Sequence, residues 1–313
     1  MRLMFFGSGS FGLPSLEALC AEHEVAAVVT QPPRPAGRKR RLTPTPIAEW
    51  AGSHGLPVWP IEDVNAPDQV ARLAAVGAKA SVVIAFGQKL SPEVVETGGG
   101  LMVNLHGSLL PAYRGAAPIQ RAMMDGCTET GVSVIALADR MDAGVVYGMS
   151  SLTIDPLETA GELHDRMAQL GPAVIGGVLA DFTAGRLDPV EQDESGATRA
   201  RKLTKADGTV AFDQPATAVR AQVHGLNPWP GCRLVGQGGE LLLRRVRDHP
   251  DESAGLAQPG TVLPSRRVAT AVGTLELLEV QVPGKRIMPA AALIQQGGLE
   301  PGDVLRPIAG QMR

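Results

Sequence analysis

The first half of the chain alternates short apolar runs with longer stretches of mixed polarity. The apolar runs, each beside Gly or Pro, are Leu3–Phe6, Val25–Thr30, Ser81–Ala85 and Leu101–Leu105. Short continuous runs bounded in this way are typical of buried parallel strands. Helices are predicted between them, at Pro14–Cys20, Pro44–His54, Pro67–Val76 and Ala117–Met124. Alternating strands and helices predict an α/β fold with a doubly wound, mostly parallel sheet.

The pattern changes in the second half. One long helical pattern runs from Leu157 to about Thr183, and residues 186–207 are polar, contain Pro and Gly and lack apolar periodicity. Short strand-like runs between Gly and Pro turns then follow at Leu241–Leu243, Val268–Ala271 and Leu275–Val280. Such runs predict a small β-barrel. We therefore predict a first domain over residues 1–185, a linker over 186–207 and a β-rich domain over 208–313.

Charge is distributed unevenly between these parts. The chain has a formal net charge of −3, yet residues 1–198 carry 14 Lys/Arg against 22 Asp/Glu, and residues 199–313 carry 15 against 10. The excess of basic residues favours contact of the C-terminal part with a polyanion, although chance scatter of surface charge would give the same counts.

Cysteine usage and hydropathy bear on the compartment. Cys20, Cys127 and Cys232 are far apart and form no CxxC pair, which argues against a disulfide framework and a zinc site. No stretch approaches the roughly 20 apolar residues that span a bilayer. We expect a soluble, intracellular protein.

A glycine-rich turn after the first strand needs separate treatment. Gly7, Gly9 and Gly12 form a GxGxxG pattern between a predicted strand and helix, as in dinucleotide-binding folds. A nicotinamide site also needs an Asp or Glu about 20 residues later. The second strand instead ends in Thr30, Gln31 and Pro32. A tight turn that requires glycine is therefore favoured over a dehydrogenase.

Three polar residues suit acyl transfer to an amine. Asn104 and His106 are two residues apart at the end of the strand Leu101–Leu105, so their side chains share one face. Asp142 lies in a turn between two apolar runs. Asn104 and a protonated His106 can donate to a developing oxyanion, and Asp142 can orient the imidazole or accept a proton. A buried Asn–His pair without catalytic function fits the same spacing. Ser108 lacks the GxSxG elbow of a hydrolase and is interpreted as a helix or turn cap.

The chain resembles the methionyl-tRNA formyltransferase family over almost its whole length. The run NLHGSLLPAYRGAAPIQRA, from Asn104, is very similar to the signature of that family. Other similar segments, in the family's order and spacing, are QPPRPAGRKRRLTPTPI from Gln31, VIAFGQKL from Val83, ETGVSVIALADRMDAG from Glu129, KLTKADG from Lys202 and NPWPG from Asn227.

This resemblance implies a reaction and a set of site residues. Asn104, His106 and Asp142 correspond to the catalytic trio, which transfers the formyl group of 10-formyltetrahydrofolate to methionyl-initiator tRNA without a metal. The folate site would be lined, largely through backbone, by Ala85, Phe86, Gly87, Gln88 and Leu90, together with Ser108, Leu109, Leu110 and Pro111. It also implies a formyltransferase domain followed by an OB-like barrel that contacts tRNA, in a cytoplasmic monomer without membrane contact.

Two basic elements agree with the implied acceptor. Arg38, Lys39, Arg40 and Arg41 form a four-charge run in a loop rich in Pro and Gly, and Lys202 and Lys205 end the predicted linker. Basic loops attract phosphate, but a solvated loop has the same composition. In the family the corresponding loop inserts toward the acceptor stem.

The sequence departs from the family pattern at a few positions and leaves other acceptors open. Phe86 replaces a common Tyr, and Lys89 replaces a usual aliphatic residue near the folate segment. A formyltransferase acting on an amino-sugar nucleotide or on glycinamide ribonucleotide would use a similar trio. The basic run and the appended β-rich domain favour tRNA over these small acceptors. A non-catalytic tRNA-binding protein is the remaining alternative.

Overall fold

The computed structural model describes residues 1–37 and 40–308, which form two compact units. The first unit comprises Met1–Arg114, Gly131–Leu152 and His164–Arg199. The second comprises Gly115–Thr130, Thr153–Leu163 and the chain from Ala200 onward. The chain therefore crosses between the units several times.

The strands and helices of the first two hundred residues alternate for much of their length. The strands are β1 (Arg2–Gly7), β2 (Glu24–Thr30), β3 (Arg34–Ala36), β4 (Arg41–Thr43), β5 (Val58–Pro60), β6 (Ala80–Ile84), β7 (Met102–His106), β8 (Arg114–Gly115), β9 (Glu129–Ala136), β10 (Val146–Thr153) and β11 (Arg199–Ala200). The helices are α1 (Leu13–Glu22), α2 (Pro46–Ser53), α3 (Pro67–Ala74), α4 (Pro92–Glu96), α5 (Pro118–Met124), α6 (Ala160–Ala168) and α7 (Gly171–Thr183).

The main sheet has the strand order β10-β9-β7-β6-β1-β2-β5. Strands β7, β6, β1, β2 and β5 run parallel to one another, and β9 runs antiparallel to β7. Leu3, Met4, Phe5 and Phe6 of the central strand β1 are at most 1% exposed, because the strand is covered on both faces. This topology confirms the predicted doubly wound, mostly parallel sheet.

The glycine-rich turn after β1 is shaped by close packing. A Cβ on Gly7 would lie 2.5 Å from the Phe5 ring, and one on Gly12 would lie 3.0 Å from the same ring. Neither glycine has a positive φ. Glycine is therefore required here because the turn has no room for a side chain.

The prediction of one helix from Leu157 to about Thr183 is wrong. The segment forms two helices, α6 and α7, and α7 has Pro172 in its first turn. Proline has no N–H for the preceding helix and its ring clashes with the previous turn, so α6 ends and a new helix begins.

The later part of the chain forms a curled antiparallel sheet. Its elements are α8 (Ala216–Gly225), β12 (Cys232–Gly236), β13 (Gly239–His249), β14 (Val268–Ala269), β15 (Thr274–Gln281), β16 (Met288–Pro289), α9 (Ala290–Gln295) and β17 (Arg306–Pro307). The strand order is β14-β15-β13-β12-β17, with β16 also paired to β15. Register shifts near Arg245 in the β13–β15 pair allow the sheet to curl. This confirms an OB-like second part.

No helix among the described residues is long and apolar enough to cross a membrane.

Candidate functional site

Asn104 and His106 lie at the carboxyl end of β7, within the main sheet. Strand β7 forms because Met102, Val103 and Leu105 are buried between neighbouring strands. Asn104 is paired with Val83 of β6 and with Ile135 of β9. Since ligand sites in open α/β sheets gather at the carboxyl ends of strands, this position is suited to catalysis.

The His106 imidazole is buried and held by two protein groups. Its Nε2 lies 2.9 Å from the backbone oxygen of Tyr113. Because a carbonyl oxygen only accepts, Nε2 must carry a proton. Its Nδ1 lies 3.6 Å from Oδ2 of Asp142, and the two side chains are 7% and 14% exposed. This separation permits a close ion pair but exceeds the length of a good hydrogen bond.

Asp142 lies in a turn whose backbone is tightly constrained. Its φ is +55°, in the left-handed region, which Asp adopts more readily than most residues. Two residues later, a Cβ on Gly144 would lie 2.0 Å from the backbone oxygen of Ala136. Only glycine allows the turn to approach β9 this closely, so Gly144 helps to bring the carboxylate to the imidazole.

Asn104 contributes a carboxamide to the same strand end. It is half-buried, and within the described part of the chain its side chain makes no hydrogen bond. Its N–H groups can therefore donate hydrogen bonds to a bound carbonyl oxygen without breaking an internal hydrogen bond. Asn104 thus lies two residues before His106 on one strand, and the imidazole of His106 lies beside the carboxylate of Asp142.

In the first predicted folate segment, polar side-chain atoms are used internally. Gln88 accepts from the Val64 N–H at 2.9 Å and donates to the Ile61 oxygen at 2.9 Å. Phe86 is 2% exposed and packs edge-on against Phe6, with ring centroids 5.6 Å apart. Ala85 and Gly87 are exposed, with positive φ of 47° and 88°, and Leu90 is half-buried.

In the second predicted folate segment, polar side-chain atoms also bond to protein groups. The Ser108 hydroxyl donates to the Ala112 oxygen at 2.6 Å, and its backbone oxygen accepts from Ser133 at 2.7 Å. Leu110 is buried and precedes Pro111, to which it is joined by a cis peptide, while Leu109 and Pro111 are half-buried. Both segments thus leave mainly backbone groups for a ligand.

The described residues of the predicted basic elements are exposed. Strands β3 and β4 pair as an antiparallel hairpin, and Arg40 and Arg41 are exposed. Arg38 and Lys39 lie outside the described residues. Lys202 and Lys205, in the second unit, are also exposed.

Several residues that support the site were not predicted. Gln192 and Thr198 contact the backbone of Asp142, Gly144 and Tyr113 from a segment interpreted as a linker. Polar composition alone does not distinguish such a segment from a solvated connection. The described residues contain no group of three His, Cys, Asp or Glu arranged to hold a metal ion.

Two family models and several full-length relatives match this chain. Residues 1–179 match the family model "Formyl transferase", and residues 202–297 match "Formyl transferase, C-terminal domain". A methionyl-tRNA formyltransferase of Moorella thermoacetica is 41% identical over 310 residues, covering 97% of this chain and 99% of that protein. One of Heliobacterium modesticaldum is 40% identical over 313 residues, covering 96% and 99%.

Among solved structures, the sugar 3N-formyl transferase WlaRD, crystallised with dTDP and 5-N-formyl-THF, has a TM-score of 0.67 at 11% identity. The similar region covers 91% of this chain and 99% of the WlaRD chain. At this identity the similarity shows the fold alone. From the two matched family models and the full-length relatives, the chain belongs to the methionyl-tRNA formyltransferase family.

Proposed function

We propose that this enzyme transfers the formyl group of 10-formyltetrahydrofolate to the α-amine of methionyl-initiator tRNA. The observation that carries the reaction is the cluster of Asn104, His106 and Asp142, with the imidazole 3.6 Å from the carboxylate at the end of β7. The acceptor is supported by about 40% identity, through both units, to methionyl-tRNA formyltransferases. Translation initiation then places the protein in the cytoplasm.

The chemistry follows from what each side chain can donate or accept. The amine nitrogen attacks the formyl carbon and forms a C–N bond, giving a tetrahedral intermediate with a negative oxygen. The Asn104 carboxamide and the His106 Nδ1–H donate to that oxygen. Asp142 stabilises the imidazolium and accepts the proton that the amine loses. The bond from carbon to N10 then breaks, N10 takes up the proton held by Asp142 and leaves as tetrahydrofolate, and Asp142 returns to the carboxylate.

The two ring nitrogens of His106 have different functions in this mechanism. Nε2 is committed to the Tyr113 oxygen at 2.9 Å, which fixes the plane of the ring. Nδ1 is 3.6 Å from Asp142, so its proton is held by charge rather than by a short hydrogen bond. A formyl oxygen that approaches Nδ1 can therefore take that hydrogen bond while the carboxylate still stabilises the positive ring.

A folate donor is supported by the two segments that flank this strand end. The Gln88 amide and the Ser108 hydroxyl already have internal partners, so recognition of the pterin would depend on backbone groups. The positive φ at Ala85 and Gly87 turns the first segment sharply and leaves both residues exposed. The fold neighbour crystallised with 5-N-formyl-THF is consistent with such a donor.

Recognition of tRNA is supported by exposed cations and by the second unit. The loop Arg38–Arg41, with Lys202 and Lys205, would contact phosphates, so we expect binding that weakens with salt. Small acceptors do not need the basic hairpin, but a sugar formyltransferase is similar over 91% of this chain, so the second unit supports tRNA only through its basic residues.

The test is formyl transfer from 10-formyltetrahydrofolate to charged methionyl-initiator tRNA, with uncharged tRNA and free methionine as controls. Product with charged tRNA alone is the expected result. Product with glycinamide ribonucleotide or an amino-sugar nucleotide, and none with charged tRNA, would contradict the proposed acceptor. An unchanged kcat/KM for charged tRNA in Arg38→Ala would contradict the function of the loop.

A further inference from the structure

The polar segment Gln192–Thr198 lies against both halves of the catalytic centre. Nε2 of Gln192 donates to the backbone oxygen of Asp142 at 2.9 Å and to that of Gly144 at 2.7 Å. These two carbonyls lie within the turn that carries the catalytic carboxylate, one at Asp142 itself and one two residues later. One carboxamide, fifty residues from Asp142 in sequence, thus holds the turn at two points.

The other end of the same carboxamide is also fixed. Oε1 of Gln192 accepts from Nε of Arg114 at 3.0 Å and from Nη2 at 2.7 Å. The Arg114 side chain is only 11% exposed and also pairs with Glu194, which in turn pairs with Arg140. Gln192 therefore uses its donor on the Asp142 turn and its acceptor on a well-anchored guanidinium.

Thr198 makes the matching contacts on the histidine side. Its Oγ1 accepts from the Tyr113 N–H at 2.8 Å, and its backbone oxygen accepts from the Arg114 N–H at 2.9 Å. Tyr113 has a φ of +61° and presents its carbonyl to Nε2 of His106. Thr198 thus fixes the residue that orients the imidazole.

Both contacted residues adopt backbone conformations that need support. Asp142 and Tyr113 both lie in the left-handed region, which is unfavourable for a non-glycine residue unless its surroundings hold it. Gln192 donates to the backbone oxygen of Asp142, and Thr198 accepts from the backbone N–H of Tyr113, so each contact supports one of these two conformations. A loss of either contact would let the imidazole and the carboxylate move apart.

We propose that Gln192 is a positioning residue, and that Gln192–Thr198 is a strap that fixes Asp142 and His106 relative to each other. The strap does not touch the reacting atoms and acts through the backbone of the two catalytic segments. The inference rests on the proposed function, because the turnover rate in its test is the rate of formyl transfer. The positions of Asp142 and His106 can be tested without knowing the acceptor.

The experiment compares Gln192→Ala and Gln192→Glu with a matched control, Gln295→Ala, whose side chain is exposed at the end of α9. Gln192→Glu keeps the acceptor for Arg114 but replaces the donor with an oxygen that faces two carbonyls. Thr198→Val, which removes the acceptor of the Tyr113 N–H, is the second site. Turnover is measured alongside the ¹⁵N shifts of the His106 ring and hydrogen exchange over residues 140–146.

We expect kcat to fall about 10- to 100-fold in Gln192→Ala and at least as far in Gln192→Glu, with KM for the folate within about twofold. The His106 ring shifts should change in both variants and in Thr198→Val, and exchange over residues 140–146 should rise in the Gln192 variants. Gln295→Ala should match the wild type.

The strap is refuted if kcat in Gln192→Glu stays within about twofold of wild type and the ring shifts do not move. It is also refuted if KM rises with kcat unchanged, because that pattern reports binding rather than positioning. If wild-type protein does not formylate methionyl-tRNA, the proposed function fails. The ring shifts and hydrogen exchange still decide the strap, and Thr198→Val decides it on the histidine side should Gln192→Ala fail to fold.

Discussion

Substitution of Asn104 tests the proposed oxyanion function directly, because removing its side chain should affect the stability of the fold only slightly. Its carboxamide is half-buried and makes no hydrogen bond within residues 1–37 and 40–308. Asn104→Ala therefore leaves no internal partner unsatisfied, and the free energy of unfolding should change by only about 0.5 kcal/mol. The change in rate then reports the transition state alone.

The expected magnitude follows from the loss of one donor. Removal of a single oxyanion donor costs about 100- to 1000-fold in kcat, or about 2.7–4 kcal/mol of transition-state stabilisation. Asn104→Asp keeps the shape but places a carboxylate beside the developing negative oxygen. At about 4 Å and an effective dielectric constant of about 20, that repulsion is worth up to about 4 kcal/mol. We expect the Asp variant to be at least about tenfold slower than the Ala variant.

The assay is single-turnover formylation with saturating 10-formyltetrahydrofolate and charged tRNA, which isolates the chemical step. Thermal unfolding and folate binding are measured on the same preparations, to confirm that each variant is folded and loaded. Full kcat in Asn104→Ala would refute the donor function. Faster turnover in Asn104→Asp than in Asn104→Ala would show that shape, rather than hydrogen-bond donation, is what the site needs.

Other substitutions test the turn, the second unit and the hairpin. Gly144→Ala would bring a Cβ within 2.0 Å of the Ala136 oxygen, so single-turnover rates should fall at least about tenfold; an unchanged rate would show that the turn tolerates displacement. Burial, reinforced by nearby Arg220, lowers the pKa of His224 to about 4 from its ordinary 6.5. The unfolded chain thus binds the proton first as the pH falls, and the free energy of unfolding should drop by about 3 kcal/mol from pH 7 to 4. Urea titrations should show this drop in wild type but not in His224→Gln, and equal drops would exclude His224 as its source. Arg41→Ala should raise KM for charged tRNA and lower the salt slope of binding by about one, while an unchanged slope would remove Arg41 from the phosphate contacts.

Much of the first unit could be predicted because its strands are buried on both faces. The runs at Leu3–Phe6 and Val25–Thr30 lie within β1 and β2, since a strand covered on both sides must be apolar throughout. The break between α6 and α7 could not be read from apolar periodicity, which continues through it. Pro172 was the available signal, because proline in a helix interior costs about 3 kcal/mol.

The candidate site was predictable to the extent that it depends on local spacing. Two residues on one strand share a face, so Asn104 and His106 meet without any knowledge of the fold. The 3.6 Å approach of Asp142 depends on the close packing of Gly144 against β9, which spacing along the chain does not contain. The contacts of Gln192 were harder still to predict. A polar residue in a segment without apolar periodicity does not indicate which backbone carbonyls it will bond to.

In the predicted folate segments, side chains that bond or pack within the protein explain why residue types can vary there. The Gln88 amide accepts from the Val64 N–H and donates to the Ile61 oxygen, and Phe86 packs against Phe6 in the core. A ligand that hydrogen-bonds to exposed backbone groups would bind equally well with different side chains here, provided that these side chains keep the segment in place. Phe86, where the family often has Tyr, satisfies that condition by packing at 2% exposure. This departure from the family pattern therefore falls on a buried residue, while Asn104, His106 and Asp142 keep the residue types that the proposed reaction needs.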